Sequence, residues 1–233
     1  MIDATDTPLD VAPPPTAVRR GRGVDLVERV GFLGFVGIFG LVRARRSDAI
    51  DLAVTMKIQR WSHPWLGHVM AAVSWPGFPP QSRLIPPAAV AVLLLARLPL
   101  EALGMVAAWG TALVASVVKA LMRRQRPIAG VDIRVIAAPL GGSSFPSGHT
   151  ITYVGVYGFL AYLAHTLLRP AWFRRLVVAP LVALVALVGP SRVYQGHHWF
   201  TDVTASYLLG VSYLLGVTRL YRTWKARGTR EKA

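Results

Sequence analysis

Three polar stretches of the chain carry residue types that can hold a phosphate group and transfer it. They are KALMRRQRP at 119–127, SSFPSGHT at 143–150 and SRVYQGHHWFTD at 191–202. Each of these stretches adjoins an apolar run, where charged side chains cost free energy unless they are paired or used. We therefore expect the three stretches to serve a chemical function.

Cations without nearby acidic partners mark two of these stretches. Lys119, Arg126 and Arg192 have no carboxylate close to them in sequence except Asp202, and such a surplus favours an anionic ligand. Lys119 and Arg126 are two helical turns apart and share a face if the helix continues to Pro127. The segment containing Ser147 and Gly148 precedes an apolar run, so its backbone N–H groups can point at an oxyanion.

The histidines of the second and third stretches predict the chemistry. His198 and Asp202 are one helical turn apart, so the carboxylate can accept a hydrogen bond from one ring nitrogen and leave the other as a nucleophile. Attack on phosphorus would give a phosphohistidine. His149 is a candidate general acid and base. The neighbouring His197 has the wrong spacing to face Asp202 if the segment is helical.

Composition predicts the elements that position these residues. The 233 residues are 53% hydrophobic and 16% charged, with a mean hydropathy of +0.44, which is typical of a membrane protein. We expect an all-α, polytopic membrane bundle of six transmembrane helices, because only helices satisfy the backbone of an open structure in lipid. The apolar runs lie at 30–42, 84–98, 102–118, 150–168, 176–190 and 203–218.

The flanking segments complete the expected domain organisation. Residues 1–23 are polar and proline-rich and predict a disordered tail without a cleavable signal peptide. The six-helix transmembrane domain would span 24–221, with a basic tail at 222–233. Residues 47–75 mix apolar positions with Asp48, Asp51, Lys57 and Arg60. That pattern predicts an amphipathic helix at the membrane interface after the first span.

The distribution of Lys and Arg predicts which face of the membrane each loop occupies. With six spans, the termini and the loops after spans two and four hold slightly more than half of the 26 Lys and Arg residues. The positive-inside rule then places the termini in the cytoplasm and the three polar stretches on the opposite face. The net charge of +15 suits anionic lipid headgroups, and we expect no nucleic-acid partner.

At these residues the sequence resembles the type 2 phosphatidic acid phosphatase family, whose signature is K-x6-R-P, P-S-G-H and S-R-x5-H-x3-D. Every interval of that signature is kept between Lys119 and Asp202. The family shares its phosphate pocket with vanadium haloperoxidases and bacterial acid phosphatases. The resemblance implies a membrane lipid phosphatase that needs no cofactor and no metal.

Residue roles are also implied by the resemblance. It assigns His198 as nucleophile, Asp202 as its orienting partner and His149 as acid and base. The phosphate ligands it implies are Lys119, Arg126, Ser147, Gly148 and Arg192. Expected substrates are a polyprenyl diphosphate such as undecaprenyl diphosphate, phosphatidic acid or phosphatidylglycerophosphate, cleaved at the outer face of a bacterial cell membrane.

Other interpretations stay open at this point. A lipid phosphotransferase would pass the phosphoryl group to an acceptor other than water, and a non-catalytic lipid-binding protein would keep only the pocket. The intact set of His149, His198 and Asp202 favours an enzyme. Three further arginines, Arg123, Arg124 and Arg134, are interpreted as anchors for lipid headgroups.

Overall fold

The computed structural model describes residues 15–61, 63–130, 133–136 and 140–230, and within these ranges the chain is all-helical, without a strand. A short 3-10 helix covers Trp75–Gly77. The α-helices of the described residues are α1 (Pro15–Arg43), α2 (Asp48–Gln59), α3 (Pro64–Ser74), α4 (Gln81–Leu95), α5 (Pro99–Trp109), α6 (Thr111–Met122), α7 (Gly148–Leu167), α8 (Ala171–Tyr194) and α9 (Phe200–Arg230).

Helix α7 is the centre of the bundle. It packs against α5, α6, α8 and α9, and it contributes residues to both apolar clusters of the core, among them Phe159 in one and Ile151 in the other. At Gly155 the helices approach so closely that a Cβ atom would collide with the carbonyl oxygen of Ala108 and the side chain of Thr111. Close packing of this kind fixes α7 against the α5–α6 segment.

Each of the six apolar runs of the sequence lies mainly in helix, although the run 84–98 extends past the end of α4 and the run 102–118 crosses Gly110 between α5 and α6. The six predicted spans are not confirmed. Three helical segments among the described residues are long and apolar enough to cross a membrane: Pro99–Met122, which comprises α5 and α6, Ala171–Tyr194 and Phe200–Arg227. Helix α4 has only 15 residues, which is about 22 Å at the α-helical rise. Helix α7 carries Thr, Tyr, His and Gly residues that lower its hydropathy, and much of it is buried against protein.

Residues 47–75 differ from the single amphipathic helix predicted there. They form α2 and α3, separated around His63, which caps α3, and Pro64. The polar side of α2 faces protein, since Asp51, Thr55 and Gln59 are buried. Both helices pack against α8.

The predicted tails also differ from the observed boundaries. Residues 1–14 lie outside the described residues, and α1 begins at Pro15, so the described part of the predicted tail 1–23 is helical. At the other end α9 continues through most of 222–233, to Arg230.

Candidate active site

The connection that follows α6 leaves the helix earlier than the sequence predicts. Arg123 adopts a left-handed conformation (φ 50°) and caps α6, so the helix does not continue to Pro127. The chain then pairs with the segment before α7: the Ser144 N–H donates to the Arg124 carbonyl at 2.8 Å, and the Ser144 hydroxyl donates to the Gln125 carbonyl at 3.1 Å. This pairing places Arg126 against the third polar stretch.

Two of the predicted phosphate-binding cations converge on one carbonyl oxygen. Lys119 Nζ donates to the Ser143 carbonyl at 2.7 Å, and Arg126 Nη2 donates to the same oxygen at 3.2 Å. The other donors of Arg126 reach the carbonyl of His197 at 2.7 Å and that of Gly141 at 3.3 Å. Neutral carbonyls position these cations without cancelling their charge.

His198 lies in the loop before α9 and directly contacts this group of cations. Its Nε2 is 3.1 Å from Arg126 Nη1. A guanidinium can only donate, so the hydrogen-bond network assigns the lone pair to Nε2 and the ring proton to Nδ1. The lone pair therefore points to the cations.

The environment of His198 keeps the ring neutral. Burial, followed by the positive charges of Arg126, Arg192 and Lys119, lowers the pKa of His198 well below its usual range. A neutral imidazole is the form that can act as a nucleophile.

Asp202 faces His198, although not in the way that the sequence predicts. Helix α9 begins at Phe200, so His198 lies before the helix and Asp202 lies in its first turn. Asp202 Oδ2 accepts the Trp199 N–H at 2.9 Å and is 3.6 Å from His198 Nδ1. That separation exceeds a hydrogen bond, but catalytic contacts of this kind commonly shorten when a substrate binds.

Arg192 is fully buried on the last turn of α8. Its guanidinium donates to Gln195 Oε1 at 2.8 Å and contacts His197 Nδ1 at 2.5 Å, and it lies over the Phe78 ring at 4.9 Å from the centroid. His197 thus faces Arg192, while His198 faces Asp202.

A glycine turn sets this division between the two histidines. Gly196 has a φ of +71°, and a Cβ atom there would collide with the Arg134 carbonyl. The backbone therefore turns tightly between the end of α8 and the His197–His198 pair, a conformation that glycine accommodates.

His149 occupies the first turn of α7, on the opposite wall. Its ring packs edge-on against Phe78 at 4.6 Å and lies over Tyr153 at 6.4 Å. A Cβ atom on Gly77 would collide with the ring, so the 3-10 turn also holds it in place. The buried Nε2 atom has no hydrogen-bond partner among the described residues and is available to a substrate.

The start of α7 offers fewer free donors than the sequence predicts. The Ser147 N–H donates to the Ser206 hydroxyl at 2.8 Å, and the Ser147 side chain caps the helix by accepting from Thr150. Gly148 has room beside it, because a Cβ atom would meet only Lys119 Cε at 3.7 Å. Gly148 and Lys119 line one cavity together with His149.

The interpretation of Arg124 as a headgroup anchor is wrong. Its side chain is 11% exposed and bridges two carboxylates, with Nη1 2.7 Å from Asp202 Oδ1 and Nη2 2.6 Å from Asp51 Oδ2. Thr201 accepts from Arg124 at 2.8 Å and donates to Asp51 at 2.8 Å. We call Asp51, Arg124, Thr201 and Asp202 the carboxylate–arginine cluster. Arg134 also bonds protein, namely Gln59.

Two cavities adjoin the reacting groups. One of about 340 Å³ runs from Lys119 and His149 between the 3-10 turn, α4 and α6, and its walls are mostly apolar, with Ile85, Trp109 and Val156. The second cavity, of about 680 Å³, is lined by Arg126 and extends to Asp51 and Trp199. Within the described residues, no group of three or more His, Asp or Glu side chains clusters as a metal site.

The comparison with known proteins follows from this geometry. Residues 99–226, which include all three polar stretches, match the PAP2 superfamily. The chain belongs to the PAP2 superfamily. It is 30% identical over 187 residues to phosphatidylglycerophosphatase B of Bacillus subtilis, an alignment that covers 77% of this chain and 87% of the relative.

Solved structures of PAP2 proteins share the fold. A transmembrane PAP2-type phosphatidylglycerolphosphate phosphatase from Bacillus subtilis superposes with a TM-score of 0.73 at 26% identity, covering 84% of this chain and 96% of that structure. LpxE of Aquifex aeolicus gives a TM-score of 0.57 at 22% identity, covering 72% and 94%. This PAP2 protein is therefore a membrane-type phosphatase of phosphoric esters, which confirms the predicted family and enzyme class.

Proposed function

We propose that the chain is an integral-membrane lipid phosphatase that hydrolyses a phosphomonoester or diphosphate through a phosphohistidine on His198. The observation that carries the proposal is the approach of the His198 Nε2 lone pair to Arg126 within a set of cations that also includes Lys119 and Arg192. A nucleophile aimed into a cationic pocket is what in-line phosphoryl transfer requires.

In the first step the Nε2 lone pair attacks phosphorus and the bond from phosphorus to the lipid oxygen breaks. Arg126 moves from Nε2 to a phosphoryl oxygen, joined by Lys119, Arg192 and the Gly148 N–H, whereas the Ser147 N–H stays bonded to the Ser206 hydroxyl. His149 gives its proton to the departing oxygen. The imidazolium charge that forms on His198 is stabilised by Asp202.

In the second step a water molecule displaces the His198 imidazole from phosphorus. His149, now neutral, takes a proton from the attacking water, whose oxygen bonds to phosphorus. The bond from phosphorus to Nε2 breaks, its electron pair returns to His198, and inorganic phosphate leaves. Neither step uses a metal ion.

The substrate is a lipid whose chain occupies the apolar cavity between the 3-10 turn, α4 and α6, with its phosphate at Lys119 and His149. Phosphatidylglycerophosphate is the first candidate, since the relative that matches most of the chain is named for that activity. A polyprenyl diphosphate and phosphatidic acid are the other two.

The proposed membrane arrangement has six spans. Three are the long apolar segments described above, and the other three are α1, α4 and α7. The termini are cytoplasmic, and the reacting groups lie at the extracytoplasmic face of a bacterial cell membrane. A reporter fused after Ala233 tests the sidedness: cytoplasmic signal is expected, and extracytoplasmic signal would reverse the topology.

A lipid panel tests the function. Protein purified in detergent should release inorganic phosphate from phosphatidylglycerophosphate, phosphatidic acid or a polyprenyl diphosphate with EDTA present. Strict dependence on an added divalent cation would contradict the metal-free mechanism. Transfer of the phosphoryl group to a lipid or sugar acceptor in place of water would identify a phosphotransferase.

A further inference from the structure

Asp202 is held by more than its histidine, and the second carboxylate of the carboxylate–arginine cluster comes from a distant helix. Asp51 lies on α2, 1% exposed, and each of its oxygens is occupied: Oδ1 accepts the Thr201 N–H at 2.8 Å, and Oδ2 accepts from Thr201 Oγ1 at 2.8 Å and from Arg124 at 2.6 Å. Every polar atom of this side chain is committed within the cluster.

The charge balance of the cluster follows from these contacts. Asp51 and Asp202 each carry a negative charge, and Arg124 between them carries one positive charge, so one negative charge remains. Without Asp51, the positive charge of Arg124 would cancel the negative charge of Asp202. A neutral pair stabilises an adjacent imidazolium far less than a net negative cluster does, above all where water is excluded.

We propose that Asp51 and Arg124 are positioning residues that act through Asp202: Arg124 fixes the carboxylate beside His198, and Asp51 offsets the charge of Arg124 so that Asp202 keeps its effect on His198. This inference rests on the proposed function. It assigns a role in the reaction to α2, outside the three polar stretches.

Several charged or titratable groups face His198, and one of them, Asp202, belongs to the cluster. They are Lys119 on α6, Arg126 after α6, His149 on α7, Arg192 and the neighbouring His197 at the end of α8, and Asp202 on α9. Among these groups the cations disfavour the imidazolium. The carboxylate of Asp202, 3.6 Å from His198 Nδ1, opposes the effect of these cations.

Asp48 provides a matched control. It is also on α2 and also approaches Arg124 Nη2, at 3.7 Å, but its side chain is 68% exposed. Solvent screens such a pair. Asp48→Asn removes a negative charge near the same arginine without changing the net charge of the buried cluster.

The first arm of the test compares turnover. We expect Asp51→Asn to lower kcat about 10- to 100-fold, the range for partners that act on a reacting group through a neighbour, with little change in KM. Asp48→Asn should keep wild-type kcat. Melting temperature and gel filtration of each variant establish that it is folded.

The second arm separates a charge effect from a structural one. Asp51→Asn removes a negative charge and should move the acidic limb of kcat/KM to lower pH, whereas Arg124→Gln removes a positive charge and should move it to higher pH. The double variant Asp51→Asn with Arg124→Gln restores one net negative charge, so it should be more active than Asp51→Asn alone and have a limb close to that of the wild type.

Each outcome decides the matter. Asp51→Asn with the kcat of Asp48→Asn, or single losses that multiply in the double variant without opposite pH shifts, would overturn the inference while the proposed function stands. If a single variant does not fold, the double variant decides by itself: wild-type-like pH dependence supports the inference, and a folded but inactive protein contradicts it. A wild-type protein that releases no phosphate from the lipid panel overturns both.

Discussion

Arg124 and Arg126 lie on the same short connection, and their surroundings are opposite. Arg124 bridges two buried carboxylates, whereas Arg126 donates to neutral carbonyls and to the His198 ring. The first arginine is neutralised by the protein, and the second keeps its charge for an incoming anion. Partners, more than proximity to the nucleophile, distinguish a cation that holds the fold from one that can bind phosphate.

The largest effect that tests this contrast comes from removing an unneutralised cation. Arg126→Met or Lys119→Met should lower kcat/KM on the order of 10²- to 10³-fold, as loss of a preorganised donor to a developing oxyanion does. Initial rates of phosphate release from the preferred lipid measure the loss. Arg123→Met serves as the control, since Arg123 is exposed at the end of α6; wild-type activity of Arg126→Met would remove Arg126 from the pocket.

Ligand-induced stabilisation sharpens the same contrast. Inorganic phosphate binds the cations of the folded pocket, so it should raise the melting temperature, with a gain of about 2.7 kcal/mol at a hundredfold excess over Kd. The Arg126→Met variant should show little of this gain. Equal stabilisation of both proteins would indicate that phosphate binds elsewhere.

The pH dependence of kcat/KM tests the charge state of His198. The pKa of His198 lies well below its usual range, and protonation removes the attacking lone pair. Activity should therefore persist as the pH falls through about 6.5, where an ordinary histidine titrates, and decline only at lower pH. A limb caused by His198 at or above that pH would contradict the described surroundings of the ring.

The smallest effect is expected at Gly148. A Cβ atom there contacts only Lys119 Cε at 3.7 Å, so Gly148→Ala should leave the unfolding free energy within about 0.5 kcal/mol and raise KM if phosphate approaches this backbone. Thermal melts and Michaelis–Menten kinetics measure the two quantities. A large loss of stability would show that the glycine is required for packing.

The sequence predicts that three cations lie near His198 because they occur in local motifs. Lys119, Arg126, Arg192 and His198 were recognisable from spacing alone, and all of them meet at one end of the bundle. The predicted helix geometry was wrong at two points, since Arg123 ends α6 and His198 precedes α9. The end of α6 and the start of α9 are set by hydrogen bonds of the backbone to other segments. The motif sequences do not show which segments those are.

The carboxylate–arginine cluster could not be predicted in the same way. Arg124 and its partner Asp51 are separated by 73 positions, and Arg124 and Asp202 by 78, with no periodicity to connect them. Arg124 also stands among other arginines, for which headgroup binding is the ordinary interpretation. The number of membrane spans is hard to predict for a related reason. A helix such as α7 that is surrounded by protein need not be apolar on every face.

The most direct test of the account is to trap the phosphorylated enzyme. Rapid acid-free quenching of a reaction with a ³²P-labelled lipid phosphate should give wild-type protein that carries the label in an acid-labile, base-stable linkage, as a phosphohistidine does. His198→Ala should carry no label and release no phosphate. Label on His198→Ala, or phosphate release by that variant at a wild-type rate, would contradict the assignment of His198 as the nucleophile.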